Sequence, residues 1–347
     1  MSSLITSRHP NRSSALAPLA LALVAVAALA PGAARAQAVG PLRPILGQPQ
    51  TTVVQPEDSL IDIAYRFRLG YSAVEALNPG VDVWLPKPGT LIRLPTVMIL
   101  PRTEPLGLVI NVPEMRLYDF TVKGLPEVFA IAIGDEVDNS LMGEFKVGNK
   151  RTNPTWYVPA SIRQEKPELP AQVPPGPDNP LGDRWMNIGV TSYGIHGTNT
   201  PYSIGRLATH GCVRLYNDEM RRLFDRTASG TRLKLVYQSI KLGRRGNGLY
   251  VEAYPDVYNR EPNRLGELMM TLSELGLASY VDAELVQQVV KDGIGYPIQV
   301  GTVPQTVLDA ADTPPKPIAP AVREPTRRKP APARARPAAR PAAPRRS

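Results

Sequence analysis

Ile195–Asn217 reads IHGTNTPYSIGRLATHGCVRLYN, and the cysteine and histidine residues, which are rare in this chain, are concentrated in this stretch. It contains the only cysteine, Cys212, and two of the three histidines, His196 and His210. The third, His9, lies in a segment that export would remove. A core cysteine or a surface histidine can occur anywhere, so their clustering in one short segment points to a reactive site.

The residues around Cys212 are typical of a nucleophilic thiol. Gly211 precedes it, and a residue without a side chain lets a substrate approach the sulfur closely. The amides of Gly211 and Cys212 are candidate donors to a developing oxyanion. Because the unperturbed pKa of a thiol is about 8.5, we expect a contacting imidazole to lower it and make the thiolate.

Two histidines are candidates for that imidazole. His196 is distant in sequence and can reach the thiol from a neighbouring strand, so we assign it as general base and acid. A backbone carbonyl should orient its ring, since no suitable Asp or Glu lies in the motif. His210 lies two residues before Cys212, on the same face of an extended chain. We assign it a supporting role, and the sequence leaves open whether it shares the base function. Arg214 can stabilise the thiolate or bind a substrate carboxylate.

Other interpretations of this segment compete with catalysis. His196, His210 and Cys212 could bind zinc, although paired C-x-x-C or H-E-x-x-H spacing is absent. A buried structural cysteine with incidental histidines is a second alternative, and a noncatalytic binding or scaffold protein is a third. We expect no metal and no cofactor, because the sequence carries no metal cluster, phosphate loop or nucleotide fingerprint.

The N-terminus is typical of an export signal. Arg8 and Arg12 precede an apolar run from 15 to 30, and Ala34–Ala36 forms a small-x-small cleavage site. A retained membrane anchor is the alternative, but the run is short for a bilayer span. We predict a signal peptide over residues 1–36, cleavage after Ala36 and a periplasmic mature protein, in which a single cysteine makes no internal disulfide.

The net charge of +9 comes from the C-terminal tail, because residues 316–347 carry ten Lys or Arg and one acid. Its Pro/Ala/Arg composition predicts disorder over residues 313–347. The tail is either a solvated arm or an attachment to an anionic envelope surface. Nucleic acid is not an expected partner of an exported chain.

Residues 51–96 predict a small module of strand, helix, helix, strand. Ser59 and Asp62 have the spacing of a capping box, and Leu60, Ile63, Ala64 and Phe67 follow on one buried helix face. Residues 72–77 predict a second helix, which Asn78-Pro79-Gly80 ends. Residues 91–94 predict the closing strand.

Residues 104–239 predict a mainly β domain with short strands at 108–112, 116–120, 128–133 and 231–236. The Pro-rich segment 166–182 is too long for a turn and suggests a lid or substrate-facing loop. A helix should follow the cysteine segment, with Asn217 as its cap, Asp218 and Glu219 in its first turn, and Ser229-Gly230 at its end. Residues 245–303 predict a small α/β annex, mostly helical, with a strand at 250–254 and two amphipathic helices.

These motifs resemble a known family. HGTN, SIG and THGCVRL, with GLVINVPEMRLYDF, NPTWYVP and PPGPDNPLG, are similar to L,D-transpeptidases with a YkuD-type catalytic domain, in the ErfK/YbiS-like envelope subgroup. DSL, the IA pair, NP and PGTLIRLP resemble a LysM-type wall-binding module; a generic small α/β domain is the alternative. One departure is SLMGEF at residues 140–145, where the family usually has a Thr-Pro-x-Gly turn before a Phe.

The resemblance implies a YkuD-type β-sandwich or barrel-like catalytic domain behind the LysM-like module. It also implies that Cys212 attacks the diaminopimelate carbonyl of a peptidoglycan stem tetrapeptide, releases D-Ala and forms a thioester. The acceptor is a second diaminopimelate, a lysine of an outer-membrane lipoprotein, or water, and the sequence does not choose among them. We assign Cys212, His196 and His210 to catalysis, and to oxyanion or substrate binding Gly211, Arg214, Gly197, Thr209, Asn199 and Ser203.

Overall fold

The computed structural model describes residues 42–134 and 141–312, so the predicted signal peptide and basic tail lie outside the described residues. The first elements are β1 Arg43–Leu46, β2 Gln50–Val53, α1 Leu60–Arg66, α2 Tyr71–Leu77, β3 Leu91–Leu94 and β4 Met98–Ile99. The middle elements are β5 Leu108–Asn111, β6 Arg116–Asp119, β7 Glu127–Ala130, β8 Ile133–Gly134, β9 Gly143–Thr152, β10 Trp156–Tyr157, α3 Ala160–Glu165, β11 Gln172–Val173, β12 Arg184–Ile188, β13 Gly194–His196, a 3₁₀ turn at Pro201–Ser203, β14 Leu207–Thr209, β15 Val213–Arg214, α4 Asn217–Arg226 and β16 Arg232–Val236. The last are β17 Ile240–Arg245, β18 Gly248–Ala253, α5 Arg264–Glu274, a 3₁₀ turn at Ala278–Tyr280, α6 Ala283–Asp292, β19 Ile298–Thr302 and α7 Gln305–Asp312. None of the described helices is long and apolar enough to cross a bilayer.

The N-terminal module has the predicted order of strand, helix, helix and strand. β2 and β3 pair antiparallel, and the Ser59 side chain accepts from the Asp62 amide while the Asp62 carboxylate accepts from the Ser59 amide. Leu60, Ile63 and Ala64 are buried as predicted. The prediction was wrong for Phe67, which is 39% exposed because α1 ends one residue earlier and the chain turns away from the core.

The central domain is built on an eight-stranded mixed sheet in the order β15-β13-β12-β9-β16-β5-β6-β7. The predicted hairpin of β5 and β6 is present, with Leu108 opposite Asp119. The strand predicted over 128–133 is instead two strands, because β7 pairs with β6 whereas β8 leaves that sheet and pairs with β14. One face of the sheet packs on α4 through Met220 and Leu223.

The helix after the cysteine segment differs from the prediction at both ends. Asn217 is its first helical residue and not its cap, since Tyr216 occupies the cap position without a side-chain hydrogen bond. The helix ends at Arg226 and is followed by Thr227, before the predicted Ser229-Gly230 stop. Asp218 and Glu219 do lie in the first turn.

The C-terminal unit is a mixed α/β structure and not a mainly helical annex. Its five-stranded sheet has the order β19-β18-β17-β1-β4, so two strands come from the N-terminal side of the chain. α5 and α6 pack on this sheet through Leu268, Leu272, Val286 and Val289. The sequence analysis missed β1, β17 and β19.

The module docks directly on the central domain next to the cysteine segment. Arg68 is paired with Asp218 at 3.0 Å, and the Tyr216 hydroxyl donates to the Leu69 carbonyl at 2.9 Å. A Cβ on Gly205, whose φ is +85°, would lie 2.4 Å from the Tyr71 nitrogen. The backbone of the two units therefore approaches at a position that only glycine fits.

Candidate active site

Two adjacent parallel strands bring the predicted residues together. In the pairing of β13 with β15, Ile195 lies opposite Val213 and His196 opposite Arg214. One position earlier on each strand, Gly194 lies beside Cys212. Residues directly opposite each other on paired strands share a face, so His196 and Arg214 lie on one side of the sheet, and the charge of Arg214 acts on both His196 and Cys212.

His196 is buried and held in one orientation. Its Nδ1 donates to the Gly197 carbonyl oxygen at 2.6 Å, and its ring stacks on Trp185 with the centroids 5.5 Å apart. Burial and then the charge of Arg214 lower the pKa of His196 to about 3. Since a carbonyl only accepts, the proton of the neutral ring is on Nδ1, and Nε2 carries the free lone pair.

Cys212 is half-buried. Burial raises the pKa of Cys212, while a hydrogen bond from the Gly194 backbone and the charge of Arg214 act in the opposite direction. We expected an imidazole to lower this pKa. The pKa is raised instead, because desolvation exceeds the stabilising contributions and the His196 imidazole is itself uncharged.

The turn before Cys212 is closed by the Thr209 hydroxyl. This hydroxyl donates to the Cys212 carbonyl at 2.6 Å and accepts from the Gly211 amide at 3.2 Å. The predicted oxyanion donor Gly211 therefore has its amide engaged inside the turn, which makes the Cys212 amide the better candidate. Gly211 has φ +101°, and a Cβ there would lie 2.4 Å from Cε1 of Tyr193, so the turn requires glycine.

His210 faces away from the buried pair. Its side chain is exposed, and its Nε2 lies 3.7 Å from a carboxylate oxygen of Glu165 in α3. His210 does not share the face of Cys212 that its spacing predicts, because the positive φ of Gly211 between them breaks the extended chain. The position favours a contact with α3 over a role at the sulfur.

Arg214 is a cation without a carboxylate partner among the described residues. No salt bridge of the described part of the chain includes it, and its Nε is buried without a hydrogen-bond acceptor. Burial lowers the pKa of Arg214, and the neighbouring Cys212 opposes this. Such a guanidinium can bind an anionic group of a substrate.

Asn217 fixes the loop after His196. Its Oδ1 accepts from the Thr198 amide and its Nδ2 donates to the Thr198 carbonyl, each at 2.8 Å. A Cβ on Gly197 would lie 2.2 Å from Oδ1 of Asn217, so the Asn217 side chain fits here only because residue 197 is glycine. Asn199 donates to the Asp178 carbonyl of the Pro-rich segment at 2.9 Å, and the Ser203 hydroxyl donates to the Thr200 carbonyl at 2.7 Å. Both side chains hold the loop, whatever else they contact.

The sequence analysis missed two residues of this site. Trp185 lies opposite His196 on β12 and covers its ring, which no sequence spacing indicates. Asn217 did stand out, at the end of the motif, but as a helix cap. Within residues 42–134 and 141–312, no three His, Cys, Asp or Glu side chains are grouped so that they could hold a metal ion.

A half-buried thiol and a neutral, oriented imidazole, brought to neighbouring strands, are the groups that a cysteine–histidine nucleophilic site would use. Comparisons with known proteins agree with this class, since residues 106–236 match the model of the YkuD L,D-transpeptidase catalytic domain. The chain is 34% identical over 273 residues to a protein of Escherichia coli K12 named Probable L,D-transpeptidase YbiS, covering 74% of this chain and 88% of that protein. It is 38% identical over 214 residues to Probable L,D-transpeptidase ErfK/SrfK of Salmonella typhimurium, covering 59% and 68%.

The chain therefore belongs to the L,D-transpeptidase family. Among solved structures, the catalytic domain of the Enterococcus faecium L,D-transpeptidase aligns with 39% of this chain and 100% of that domain, with 21% identity and a TM-score of 0.31.

Proposed function

We propose that Cys212 is the nucleophile of an L,D-transpeptidase that acts on peptidoglycan stem tetrapeptides and passes the acyl group to an amine. One observation carries the proposal: His196 is neutral, its Nδ1 is fixed on the Gly197 carbonyl with Nε2 free, and it lies opposite Arg214, whose charge also acts on Cys212. This is the arrangement that general-base activation of a thiol requires.

The acyl-enzyme half-reaction begins with attack of the Cys212 sulfur on the diaminopimelate carbonyl carbon. His196 Nε2 takes the thiol proton as the carbon–sulfur bond forms and the carbonyl oxygen becomes an oxyanion. The oxyanion collapses, the carbon–nitrogen bond to terminal D-Ala breaks, and the imidazolium returns its proton to the leaving amine. The product is a thioester with the ring neutral again.

The second half-reaction regenerates the thiol. An acceptor amine attacks the thioester carbonyl, His196 takes a proton from the amine, and collapse of the tetrahedral intermediate breaks the carbon–sulfur bond. The imidazolium then protonates the leaving sulfur, so an amide forms and no proton is left over. Because the buried ring lies beside Arg214, its cationic form is costly unless the oxyanion is present, and charge develops only in the reacting complex.

The test compares matched variants at the two histidines and the cysteine. We expect Cys212→Ala to abolish release of D-Ala and formation of new crosslinks from tetrapeptide-bearing wall, measured by mass spectrometry of muropeptides. His196→Gln should lower the rate at least about 100-fold, the contribution of a general base. His210→Gln, the control at the exposed histidine, should change it less than about threefold.

The acceptor is identified in the same assay. New diaminopimelate–diaminopimelate crosslinks or a muropeptide on a lipoprotein lysine support transfer to an amine. Release of D-Ala with only tripeptide products would show a carboxypeptidase, and activity that persists in Cys212→Ala would refute the assigned nucleophile.

The N-terminal module is proposed to bind the glycan of the wall. Two neighbouring residues of its α2–β3 loop, Trp84 and Leu85, are 67% and 82% exposed, and an exposed apolar patch marks an interaction site. In a Cys212→Ala background, Trp84→Ala should reduce sedimentation with purified sacculi. Tyr157→Ala removes an equally exposed aromatic side chain from the central domain and should leave sedimentation unchanged, so equal effects of the two variants would refute the assignment.

Export to the periplasm is proposed from the N-terminal signal pattern. The mature protein should begin at Gln37, which N-terminal sequencing of the envelope fraction measures. An uncleaved N-terminus would show a retained anchor.

The basic tail is proposed to contact an anionic envelope surface, because it carries the whole positive excess of the chain. A chain ending at Asp312 should lose the salt-sensitive part of its binding to sacculi. Unchanged salt dependence would indicate a solvated arm.

A further inference from the structure

A cavity of about 470 Å³ lies where the module, the central domain and the C-terminal unit meet. Its walls are mostly apolar and include Ala73 and Ala76 of α2, Val128 and Leu207 of the central domain, and Val257 and Ile294 of the C-terminal unit. Cys212, His196 and Arg214 do not line it. Small-molecule sites occur at domain interfaces with volumes of about 300–1,000 Å³ and apolar walls, and this cavity fits that description.

Among the described residues, one of the charged side chains that line the cavity, Arg206, has no counterion. The lining charged residues are Arg68, Glu114, Arg116 and Arg206. The first three are paired: Arg68 with Asp218 at 3.0 Å, Glu114 with Lys241 at 2.5 Å and Arg116 with Glu252 at 3.4 Å. Among the described residues, no carboxylate lies within salt-bridge distance of Arg206, and its Nε is buried with no hydrogen-bond partner.

Arg206 is held in place at the cavity wall. Its guanidinium carbon lies 3.9 Å from the centre of the Tyr71 ring, and its amide donates to the Ser203 carbonyl at 3.2 Å. Because the cation stacks on a ring of the module, its donors are partly ordered before a ligand arrives. A fixed guanidinium next to apolar walls favours a carboxylate that it can bind through two hydrogen bonds.

We propose that this junction cavity binds a monocarboxylate with an aliphatic body, with the carboxylate on Arg206 and the chain against Ala73, Ala76 and Val128. Apolar burial supplies most of the affinity, because each methylene that enters the cavity leaves water. Arg206 makes the cavity selective for an anionic head group over a cationic one.

The experiment measures binding of dodecanoate to the full chain by isothermal titration calorimetry, below the concentration at which the probe forms micelles. We expect one saturable site, weakened at least about tenfold by Arg206→Gln. Ala76→Leu fills the cavity from α2 without touching the cation and should weaken binding to a similar extent. Arg151→Gln removes an exposed arginine of β9 and should bind as the wild type does.

The same titration with dodecylamine tests the role of charge. Weaker binding of the amine supports Arg206 as the residue that binds the carboxylate. Equal binding of amine and carboxylate would show simple apolar partition and overturn the proposal. Absence of saturable dodecanoate binding to the wild type, or full binding to Arg206→Gln, would also overturn the proposal. Cys212→Ala should bind dodecanoate normally, so this result and the test of the transpeptidase reaction are independent.

Discussion

At the residue scale, Cys212 and His196 form a neutral pair, and this makes the pH dependence of acylation predictable. The pKa of the thiol is raised and that of the imidazole is lowered to about 3, so neither group changes its charge between pH 5.5 and 7.5. If His196 removes the proton during attack, the rate of acylation by a carbapenem should change less than about twofold over this range. Stopped-flow absorbance of the β-lactam chromophore measures it.

Two other mechanisms give different profiles. An imidazole with its ordinary pKa of about 6.5 would lose about 90% of its neutral form at pH 5.5, and the rate would fall about tenfold. Attack by a thiolate formed before binding would make the rate rise about tenfold for each pH unit below the thiol pKa. Either profile would contradict the neutral pair.

Thr209 is predicted to act through the position of Cys212. Its hydroxyl is buried and bonds both the Cys212 carbonyl and the Gly211 amide. Thr209→Val keeps the volume but leaves both groups unpaired, and a displaced nucleophile costs about 10²-fold in rate. We expect kcat/KM to fall roughly 10- to 100-fold, mostly in kcat. Thr209→Ser restores the hydroxyl and should recover most of the rate; failure of this rescue would show that the methyl group matters instead.

The sequence predicted the side chains of this site better than their electrostatic state. The cysteine, its glycine and the carbonyl that orients His196 all followed from residue types and spacing. The raised pKa of Cys212 and the lowered pKa of His196 did not, because both depend on burial by residues outside the motif; Trp185, for example, covers the His196 ring. The outward turn of His210 follows from the conformation of Gly211, which the extended-chain assumption left out.

At the element scale, local patterns predicted elements with strong signals and missed elements that depend on distant partners. The capping box at Ser59 located α1, short apolar runs located β5 and β6, and the alternation of Leu233 and Leu235 located β16. β17 was missed because Lys241 stands at a buried position and Gly243 interrupts the strand pattern. Lys241 is buried there only because distant residues neutralise its charge, so no local rule could predict it.

Helix α4 contains a buried carboxyl whose effect on stability should depend on pH. Burial and the charge of Asp218 raise the pKa of Glu219 to about 8, and its Oε2 has no partner among the described residues. A group with a raised pKa in the folded state stabilises below its unfolded pKa of about 4.3 and loses this contribution as pH rises to about 8. Glu219→Gln should therefore raise the melting temperature relative to the wild type, increasingly from pH 5 to pH 8.

Thermal unfolding followed by circular dichroism tests this prediction. At pH 8 we expect a difference of at least about 2–4 °C, the change that about 1 kcal/mol produces in a domain of this size. Glu168→Gln, at an exposed position, is the control and should change the melting temperature little. A constant difference for Glu219→Gln would show that this carboxyl is ionised in the folded protein.

At the scale of the whole molecule, the three units share a buried ionic cluster. Lys241 and Glu252 come from the C-terminal unit, and Glu114 and Arg116 come from the β5–β6 hairpin of the central domain. Lys241 also donates to the Ile99 carbonyl, and Arg116 to the Pro95 carbonyl, in the segment that leaves the module. The module and the C-terminal unit are therefore held on the central domain by contacts that the sequence could not indicate, because each joins residues far apart in the chain.

This cluster predicts a large and specific loss of stability when its lysine is removed. Lys241 is 1% exposed, and its Nζ lies 2.5 Å from Glu114 and 3.1 Å from Glu252. Lys241→Met leaves two buried carboxylates to share Arg116, and breaking a buried ion pair costs about 3–5 kcal/mol. Urea unfolding followed by circular dichroism measures the free energy of unfolding.

The control for Lys241→Met is Lys234→Met, which removes an exposed pair with Glu144 at 3.1 Å and should cost about 0–1 kcal/mol. Adding Glu114→Gln to Lys241→Met removes one of the two buried carboxylates that have lost their lysine partner. The double variant should therefore be more stable than Lys241→Met alone. If Lys241→Met costs no more than Lys234→Met, the carboxylates are protonated or hydrated in the folded protein, and the cluster does not hold the units together. Recovery in the double variant would instead show that the loss comes from unpaired charge, since the packing lost with the lysine stem is the same in both.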